Sequence, residues 1–224
     1  MVTPYNPLDK VNLAKSIEAE ILRRDCMPLD EADHIQGSGV YLIYYNGPFK
    51  HYASISESNR GSCNVPIYVG KAIPKGGRKG GMPNVAAGQG TSLASRLRKH
   101  ALTVRATSTL NIADFRFRYL VLDEIWIPLG ENILIETFKP LWNVAIDGFG
   151  INDPGKGRAA QKKSPWDVLH PGRDYAARLT GGGADIAAIV GRIEDHFAGR
   201  RLRALPRAFS DLVANDGDDT DMGT

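Results

Sequence analysis

Residues 39–45 read GVYLIYY, a β-branched and aromatic run that stops at the turn signal Asn46-Gly47-Pro48. A run of this length and composition predicts a strand. Shorter strand patterns occur at residues 67–70 and 115–122, and a weaker one at 49–55. We therefore expect residues 39–45 to pair with other strands in one sheet.

Apolar residues at helical spacing surround these strands. The pattern predicts helices at residues 8–25, 91–104, 131–139 and 183–198. Residues 147–172 are rich in glycine, proline and charge and predict a long ordered loop. The expected fold class is α+β, an α/β sandwich in which a small mixed or antiparallel sheet is flanked by helices.

The 224 residues carry a net charge of +3, but this charge is unevenly distributed. Residues 60–118 hold eleven Lys and Arg against one acid, whereas residues 1–36 hold seven acids and four bases. The last fourteen residues hold five Asp and no base. A basic block between acidic ends predicts a polyanion bound in the middle of the molecule. A basic surface that is merely solvated is the alternative.

Two cysteines, Cys26 and Cys63, form no CxxC or other pairing pattern. We therefore expect neither a disulfide scaffold nor a zinc ribbon, and a protein of the reducing cytoplasm. The first residues lack the layout of a secretion signal. No apolar run approaches the ~18 residues that a membrane span needs.

The predicted helix 91–104 places two polar residues at the edge of its apolar stripe. Arg96 and His100 are four residues apart and therefore share one side of the helix. A guanidinium offers paired donors to a phosphate, and an imidazole moves a proton near neutral pH. Taken alone, the pair is more typical of a solvated or DNA-facing helix.

Glu131 shares a predicted helical face with Leu134, Ile135 and Phe138. A carboxylate on an apolar face is costly unless a cation or hydrogen bonds compensate it. Its expected position in the first helical turn is a partial explanation. A hard divalent cation, Mg²⁺ or Mn²⁺, is the other.

Five short motifs follow one another in a fixed order: Gly39-Val40-Tyr41, Tyr68-Val69-Gly70, Arg96 with His100, Glu131, and Pro140-Leu141-Trp142-Asn143. An isolated strand tyrosine is usually a core or edge residue. The series as a whole, however, resembles the GIY-YIG nuclease family over residues 37–145. In that family two strand motifs precede a helical Arg, a metal-binding Glu and an Asn.

The resemblance implies hydrolysis of a DNA phosphodiester by in-line attack of water. It makes Tyr41 the general base or the residue that orients the water, with His100 taking the phenolic proton or steadying its charge. Arg96 would stabilise charge on the phosphorane oxygens. Tyr68 would hydrogen-bond the scissile phosphate or the nucleophile. Which of Tyr41 and His100 is the formal base stays open.

The resemblance also implies a metal site. Glu131 would bind one Mg²⁺, for which Mn²⁺ would substitute. Asn143 would brace Glu131 or the phosphate, and Lys71, directly after the second strand motif, would contact a phosphate.

Two departures from compact members of the family narrow the expectation. The gap between Tyr41 and Tyr68 is long, and so is the glycine- and lysine-rich gap before Arg96. With His100 one turn after Arg96, these insertions resemble the type II restriction endonuclease branch. Residues 147–173 are most similar to enzymes that cut the GC-rich palindrome read by SacII and its isoschizomers, a CCGCGG-like site.

That branch implies a bacterial cytoplasmic enzyme acting on double-stranded DNA. A palindromic site is met by a two-fold symmetric homodimer, with the helix at 8–25 or at 183–198 as the expected interface. A cognate DNA methyltransferase is expected as a functional counterpart and not as a bound partner.

Specificity is expected outside the catalytic residues. Basic side chains in and beyond the core are candidates for contacts to phosphates and guanines. They are Lys75, Arg78, Lys79, Lys156, Arg158, Lys162, Lys163 and Arg173.

The predicted organisation has four parts. They are an N-terminal helical extension at 1–36, a nuclease core at 37–145 with a basic insertion at 74–90, a DNA-binding loop and C-terminal helix at 146–213, and an acidic disordered tail at 214–224.

Two other functions fit part of the sequence. One is a structure-specific DNA repair or homing-type GIY-YIG endonuclease with the same core; a repair enzyme would cut at flaps or lesions with little sequence preference. A DNA-binding module whose nuclease site has decayed fits less well, because every expected polar position is filled.

Overall fold

The computed structural model describes residues 6, 8–74, 88, 90–151, 153, 155 and 159–205. Within them the strands are β1 Met27–Pro28, β2 Gly39–Tyr45, β3 Pro66–Ala72 and β4 Phe115–Val121. The α-helices are α1 Lys10–Leu22, α2 Ala53–Ser58, α3 Ser92–Ala106, α4 Ile127–Phe138, α5 Leu141–Val144, α6 Pro165–Leu169, α7 Asp174–Ala177 and α8 Ile186–Phe197. Short 3-10 helices occupy Leu29–His34, Lys50–Tyr52, Ile112–Asp114 and Glu124–Trp126.

β2 is the central strand of the sheet. Four antiparallel strands are arranged in the order β1-β4-β2-β3, so β2 pairs on both sides and β3 lies at an edge. Every residue of β2 is buried, which explains why GVYLIYY shows no polar alternation. The predicted α+β fold, with an antiparallel sheet flanked by helices, is confirmed.

The two faces of β2 pack against different helices, because successive side chains of a strand point to opposite sides. Tyr41 and Ile43 belong to a buried cluster that contains Leu97 of α3. Val40 and Leu42 belong to a second cluster, which includes residues of α1 and α4. We call these sides the α3 face and the α4 face.

The C-terminal third extends the core on the α3 face. Trp166, Ile189 and Ile193 belong to the same buried cluster as Tyr41. These three residues therefore belong to the same core as the sheet residues of the predicted site.

Most predicted elements are present with shifted ends. α4 shows the largest shift, since it begins at Ile127 with Pro128 in its first turn, a position that favours proline. Glu131 therefore lies in the second turn, and the expected stabilisation by the first turn of the helix is wrong. The burial of its carboxylate needs another explanation.

The strand predicted at residues 49–55 is wrong, and the loop predicted at 147–172 is wrong in part. Residues 49–55 form no strand but the 3-10 helix Lys50–Tyr52 and the start of α2, which bury Tyr52 and Ile55 on one helical side. The expected loop 147–172 contains α6, whose Ser164 cap accepts a hydrogen bond from the Asp167 amide. Ser164 followed by a proline at the first helical position is the start signal that was missed.

Some predictions fall on residues outside the described ranges. They concern most of the basic insertion at 74–90 and the acidic tail at 214–224. In the part of the chain that the structure describes, no helix has the length and hydropathy needed to cross a membrane.

Cys26 and Cys63 are joined by a disulfide, so the expectation of no disulfide is wrong. Their separation of 37 residues gave no local pattern, and the sheet creates the contact. Arg118 of β4 bridges the two segments, donating from Nε to the Arg24 carbonyl at 2.8 Å and from Nη1 to the Cys63 carbonyl at 2.7 Å.

Reduction of this disulfide is expected to lower the free energy of unfolding by about 2–4 kcal/mol, because the cross-link restricts the unfolded chain. Denaturant unfolding with and without dithiothreitol measures the difference. Cys63→Ser is the control, and its unfolding should not respond to the reductant. Two free thiols in the untreated, denatured protein would contradict the pairing.

Candidate active site

Tyr41 and His100 form a buried hydrogen bond between the sheet and α3. The Tyr41 hydroxyl lies 2.7 Å from Nε2 of His100, and the two residues are 0% and 2% exposed. Tyr41 lies opposite Gly70 on β3, where a methyl group would overlap the Tyr41 ring and hydroxyl. Glycine at this position therefore makes room for the tyrosine that reaches α3.

Both partners are held in their neutral forms. Burial raises the pKa of Tyr41 well above its usual range, and Tyr68 adds to the rise, whereas Arg96 opposes it. Burial also holds the pKa of His100 well below its usual range, together with the positive charges of Arg96 and Arg173. A neutral imidazole has one bare nitrogen, so it is able to accept a proton.

Arg96 and Tyr68 complete the surroundings of this pair. Arg96 lies one turn before His100 on α3, and its Nη2 donates to the Gly150 carbonyl at 3.2 Å. The Tyr68 ring centroid is 6.4 Å from that of Tyr41 and 5.2 Å from that of His100. The structure thus brings Tyr41, Tyr68, Arg96 and His100 into one cluster.

Glu131 is bound to Lys71. The Lys71 ammonium donates to the Glu131 carboxylate at 2.7 Å, and the side chains are 27% and 14% exposed. Glu131 adds to the rise in the pKa of Tyr41, so its charge acts on the tyrosine–histidine pair. The ion pair explains why a carboxylate is tolerated on α4 outside its first turn.

The donor set at Glu131 is compatible with Mg²⁺ but is small. Among the described residues, no group of three or more His, Cys, Asp or Glu side chains is placed to hold a metal ion. Mg²⁺ is commonly bound through one or two carboxylates while water and substrate phosphates complete its shell. Glu131 fits that arrangement, and the Lys71 ammonium already places a positive charge at its carboxylate.

Asn143 does not contact Glu131 through any hydrogen bond that the structure shows. Its carboxamide pairs with the backbone of Val69 on the edge strand β3, accepting from Val69 N–H and donating to Val69 C=O, both at 2.8 Å. The side chain thus acts like a short neighbouring strand. It fixes the backbone between Tyr68 and Gly70.

Comparison with known families shows to which family the chain belongs. A family model described as the Eco29kI GIY-YIG domain matches residues 33–197, which is most of the chain. This chain belongs to the Eco29kI family of GIY-YIG restriction endonucleases. It is therefore a nuclease that hydrolyses DNA. No curated protein matches the chain at a significant level.

The residues predicted to contact DNA in this GIY-YIG endonuclease differ in their exposure and partners. Lys162 is exposed and Lys163 half-buried, whereas Lys71 is bound to Glu131. Residues 75, 78, 79, 156 and 158 lie outside the described residues.

Arg173 is not available to DNA. It is 6% exposed, and its Nε donates to the buried carboxylate of Asp167 at 2.6 Å. A basic residue in a polar loop is normally solvated, but here the loop folds over Arg173. The prediction that it contacts DNA is therefore corrected to a structural role.

The sequence did not predict that Phe149 and Gly150 line the site. Phe149 stacks on His100 with ring centroids 4.6 Å apart and an interplanar angle of 15°, and Gly150 accepts the bond from Arg96. Both lie in the segment expected to be a loop. The available signal was Gly148-Phe149-Gly150, a large apolar residue between two glycines in a polar stretch.

We expect Asn143→Ala to lower the free energy of unfolding by about 1–3 kcal/mol, because it leaves the N–H and C=O of buried Val69 without their partners. Equilibrium denaturation measures the effect. Asn132→Ala, on the exposed side of α4, is the matched control and should stay near the wild-type value. Equal stability of the two variants would contradict the bracing role.

Proposed function

We propose that this endonuclease is a type II restriction enzyme that cuts both strands of DNA at a palindromic, GC-rich, CCGCGG-like site. In this proposal it acts as a homodimer with one Mg²⁺ at each active site. The observation that carries the catalytic part is the buried hydrogen bond between Tyr41 and His100, with Arg96 and Tyr68 beside it. Membership in the restriction endonuclease family supports the biological part.

The attacking water loses its proton through the tyrosine–histidine pair. Nε2 of His100 is the bare nitrogen, and the Tyr41 hydroxyl donates to it. As the water oxygen bonds to phosphorus, its proton passes to Tyr41 Oη while the phenolic proton passes to His100. The transfer is concerted, because burial disfavours a free phenolate. His100 becomes an imidazolium in this step, and its positive charge forms only as negative charge develops on the phosphorane.

Arg96 and Tyr68 act on the phosphate. The Arg96 guanidinium stabilises the negative charge that develops on the phosphorane oxygens. Tyr68 donates its hydroxyl to the scissile phosphate or to the nucleophile. Both are supported by their places next to the Tyr41–His100 bond.

Glu131 is the proposed metal ligand. A bound Mg²⁺ would polarise the scissile phosphate and stabilise the leaving 3′ oxygen. Lys71, now paired with Glu131, would be released toward a phosphate when its carboxylate partner takes up the cation. The 27% exposure of the Lys71 side chain leaves room for this change of partner.

A homodimer provides one active site for each strand. Two exposed apolar side chains, Leu8 just before α1 and Val11 in its first turn, are 73% and 63% exposed and support this helix as part of the interface. α8 exposes Ile186 and is the second candidate. Two-fold symmetry of the protein then matches that of the palindrome.

Plasmid DNA incubated with the purified protein and Mg²⁺ tests the function. Discrete fragments whose sequenced ends fall in CCGCGG-like sites are expected, and EDTA should abolish them. A smear, or nicks without double-strand breaks, would contradict the restriction activity and favour a structure-specific nuclease.

The same digest tests the metal ligand. Glu131→Ala should give no fragments, whereas Glu136→Ala, an exposed carboxylate on the same helix, should cut like the wild type. Wild-type cleavage by Glu131→Ala would remove Glu131 from the mechanism.

Replacing Tyr41 by Phe is expected to lower the single-turnover cleavage rate by about 100-fold or more, the range typical of a lost proton-transfer group. DNA binding measured in EDTA should be unchanged. Tyr45→Phe is the matched control, since Tyr45 is buried on the same face of β2 but its hydroxyl accepts from the Phe49 amide at 2.9 Å. A fully active Tyr41→Phe would refute the proton relay.

A further inference from the structure

One arginine binds three backbone carbonyls next to the active site. Nη2 of Arg173 donates to the carbonyl of Gly148 at 2.7 Å, and Nη1 donates to those of Phe149 and Ile151 at 3.3 and 3.2 Å. We call residues 148–151 the carbonyl segment. Its backbone conformation is fixed by the guanidinium that it surrounds.

The fourth carbonyl of this segment binds the arginine of the active site. Gly150 C=O accepts from Arg96 Nη2 at 3.2 Å. A methyl group on Gly150 would lie 2.6 Å from the Tyr68 hydroxyl and 3.5 Å from Arg96 Nη2. The segment therefore lies against two active-site side chains, and Arg96 takes part of its orientation from it.

The same segment also fixes the histidine. The Phe149 ring is nearly parallel to the imidazole of His100, and it meets the Tyr68 ring edge-on with centroids 5.0 Å apart. A ring stacked on the imidazole restricts its rotation and keeps Nε2 directed at Tyr41. A shift of the carbonyl segment would move the Phe149 ring away from the imidazole.

Arg173 itself is held on three sides. Its Nε donates to Asp167, whose other carboxylate oxygen accepts from Ser164 Oγ at 2.7 Å. Its guanidinium carbon lies 4.8 Å from the ring centroid of Trp166 and 4.9 Å from that of Tyr175. The guanidinium is buried, paired with a carboxylate and placed between two aromatic rings, so it is held in one position. It is therefore suited to fix the positions of the carbonyls that it binds.

We propose that Arg173 and Asp167 are positioning residues for DNA hydrolysis. They hold the carbonyl segment, which in turn orients Arg96 through Gly150 and His100 through Phe149. This inference rests on the proposed catalytic roles of Arg96 and His100. It assigns a function to a buried ion pair that touches neither DNA nor the reacting atoms.

Arg173→Lys tests the proposal. A lysine keeps the charge for Asp167, but its single ammonium does not reproduce the planar fork that binds three carbonyls. The single-turnover rate at saturating DNA should fall by about 100-fold, the loss that a misplacement of about 1 Å produces. The dissociation constant for DNA in EDTA should change by less than about threefold, because the phosphate contacts that dominate binding are intact.

Arg118→Lys is the matched control. Arg118 also donates to two backbone carbonyls and to a tyrosine hydroxyl, but that hydroxyl belongs to Tyr44 on the α4 face. Its variant should lose comparable stability and keep the wild-type cleavage rate at temperatures where it is folded. A similar rate loss in both variants would show that the effect of Arg173→Lys is general destabilisation, and would overturn the proposal.

Phe149→Leu decides the outcome if Arg173→Lys does not fold. It removes the ring on His100 and keeps every backbone carbonyl. Slow cleavage with normal DNA binding supports the proposal, and cleavage at the wild-type rate overturns it.

Arg96→Ala and His100→Ala separate a failure of the proposed function from a failure of the positioning role. If these two variants cut normally, the proposed mechanism fails. If they are inactive while folded Arg173→Lys cuts normally, only the positioning role fails.

Discussion

The hydrogen bond between Tyr41 and His100 joins the central strand to α3 in the buried interior of the protein. A buried hydroxyl and a buried imidazole each need a partner, and here each is the partner of the other. Gly70 leaves space for the tyrosine ring, and Phe149 stacks on the imidazole. Removing the partner of either group would leave a polar atom in an apolar cluster, so the same contact stabilises the fold and holds together the pair that we propose as the proton relay.

Burial also decides how such a pair is able to work. Raising the pKa of Tyr41 and lowering that of His100 have one cause, the cost of a charge away from water. Neither group ionises readily by itself. In the proposed relay a proton passes along their hydrogen bond without a free phenolate, and the imidazolium forms only together with the negative charge of the phosphorane. Arg96 lies one turn before His100 and opposes the rise in the pKa of Tyr41. Its positive charge therefore lowers the cost of a negative charge in this interior.

The sequence contained enough to predict the parts of the site that depend on one element. Arg96 and His100 share a side of α3 because of helical geometry alone. The strand GVYLIYY holds three tyrosines, and only the resemblance to GIY-YIG nucleases singled out Tyr41 among them. Contacts between distant elements were not predictable in this way. The Asn143 carboxamide and the Arg173 guanidinium bind backbone atoms. Every residue has these atoms, so the amino-acid sequence does not indicate which residue is the partner. For the same reason the sequence predicts Arg173 as a DNA contact. The Cys26–Cys63 disulfide was not predictable because its two side chains are 37 residues apart and only the folded sheet brings them together.

The structure contains two charged pairs near the site, and their different burial suits them to different tasks. Asp167 and Arg173 have side chains only 2% and 6% exposed, and losing one partner of such a pair costs about 3–5 kcal/mol because the other charge remains buried. That pair is fixed. Lys71 and Glu131 retain some contact with solvent, so either ion is able to change partner at a smaller cost. A cation arriving at Glu131 would replace one positive charge by another of higher valence and free the ammonium. On the proposed mechanism, the rigid pair sets the geometry of Arg96 and His100, while the exchangeable pair responds to metal and phosphate.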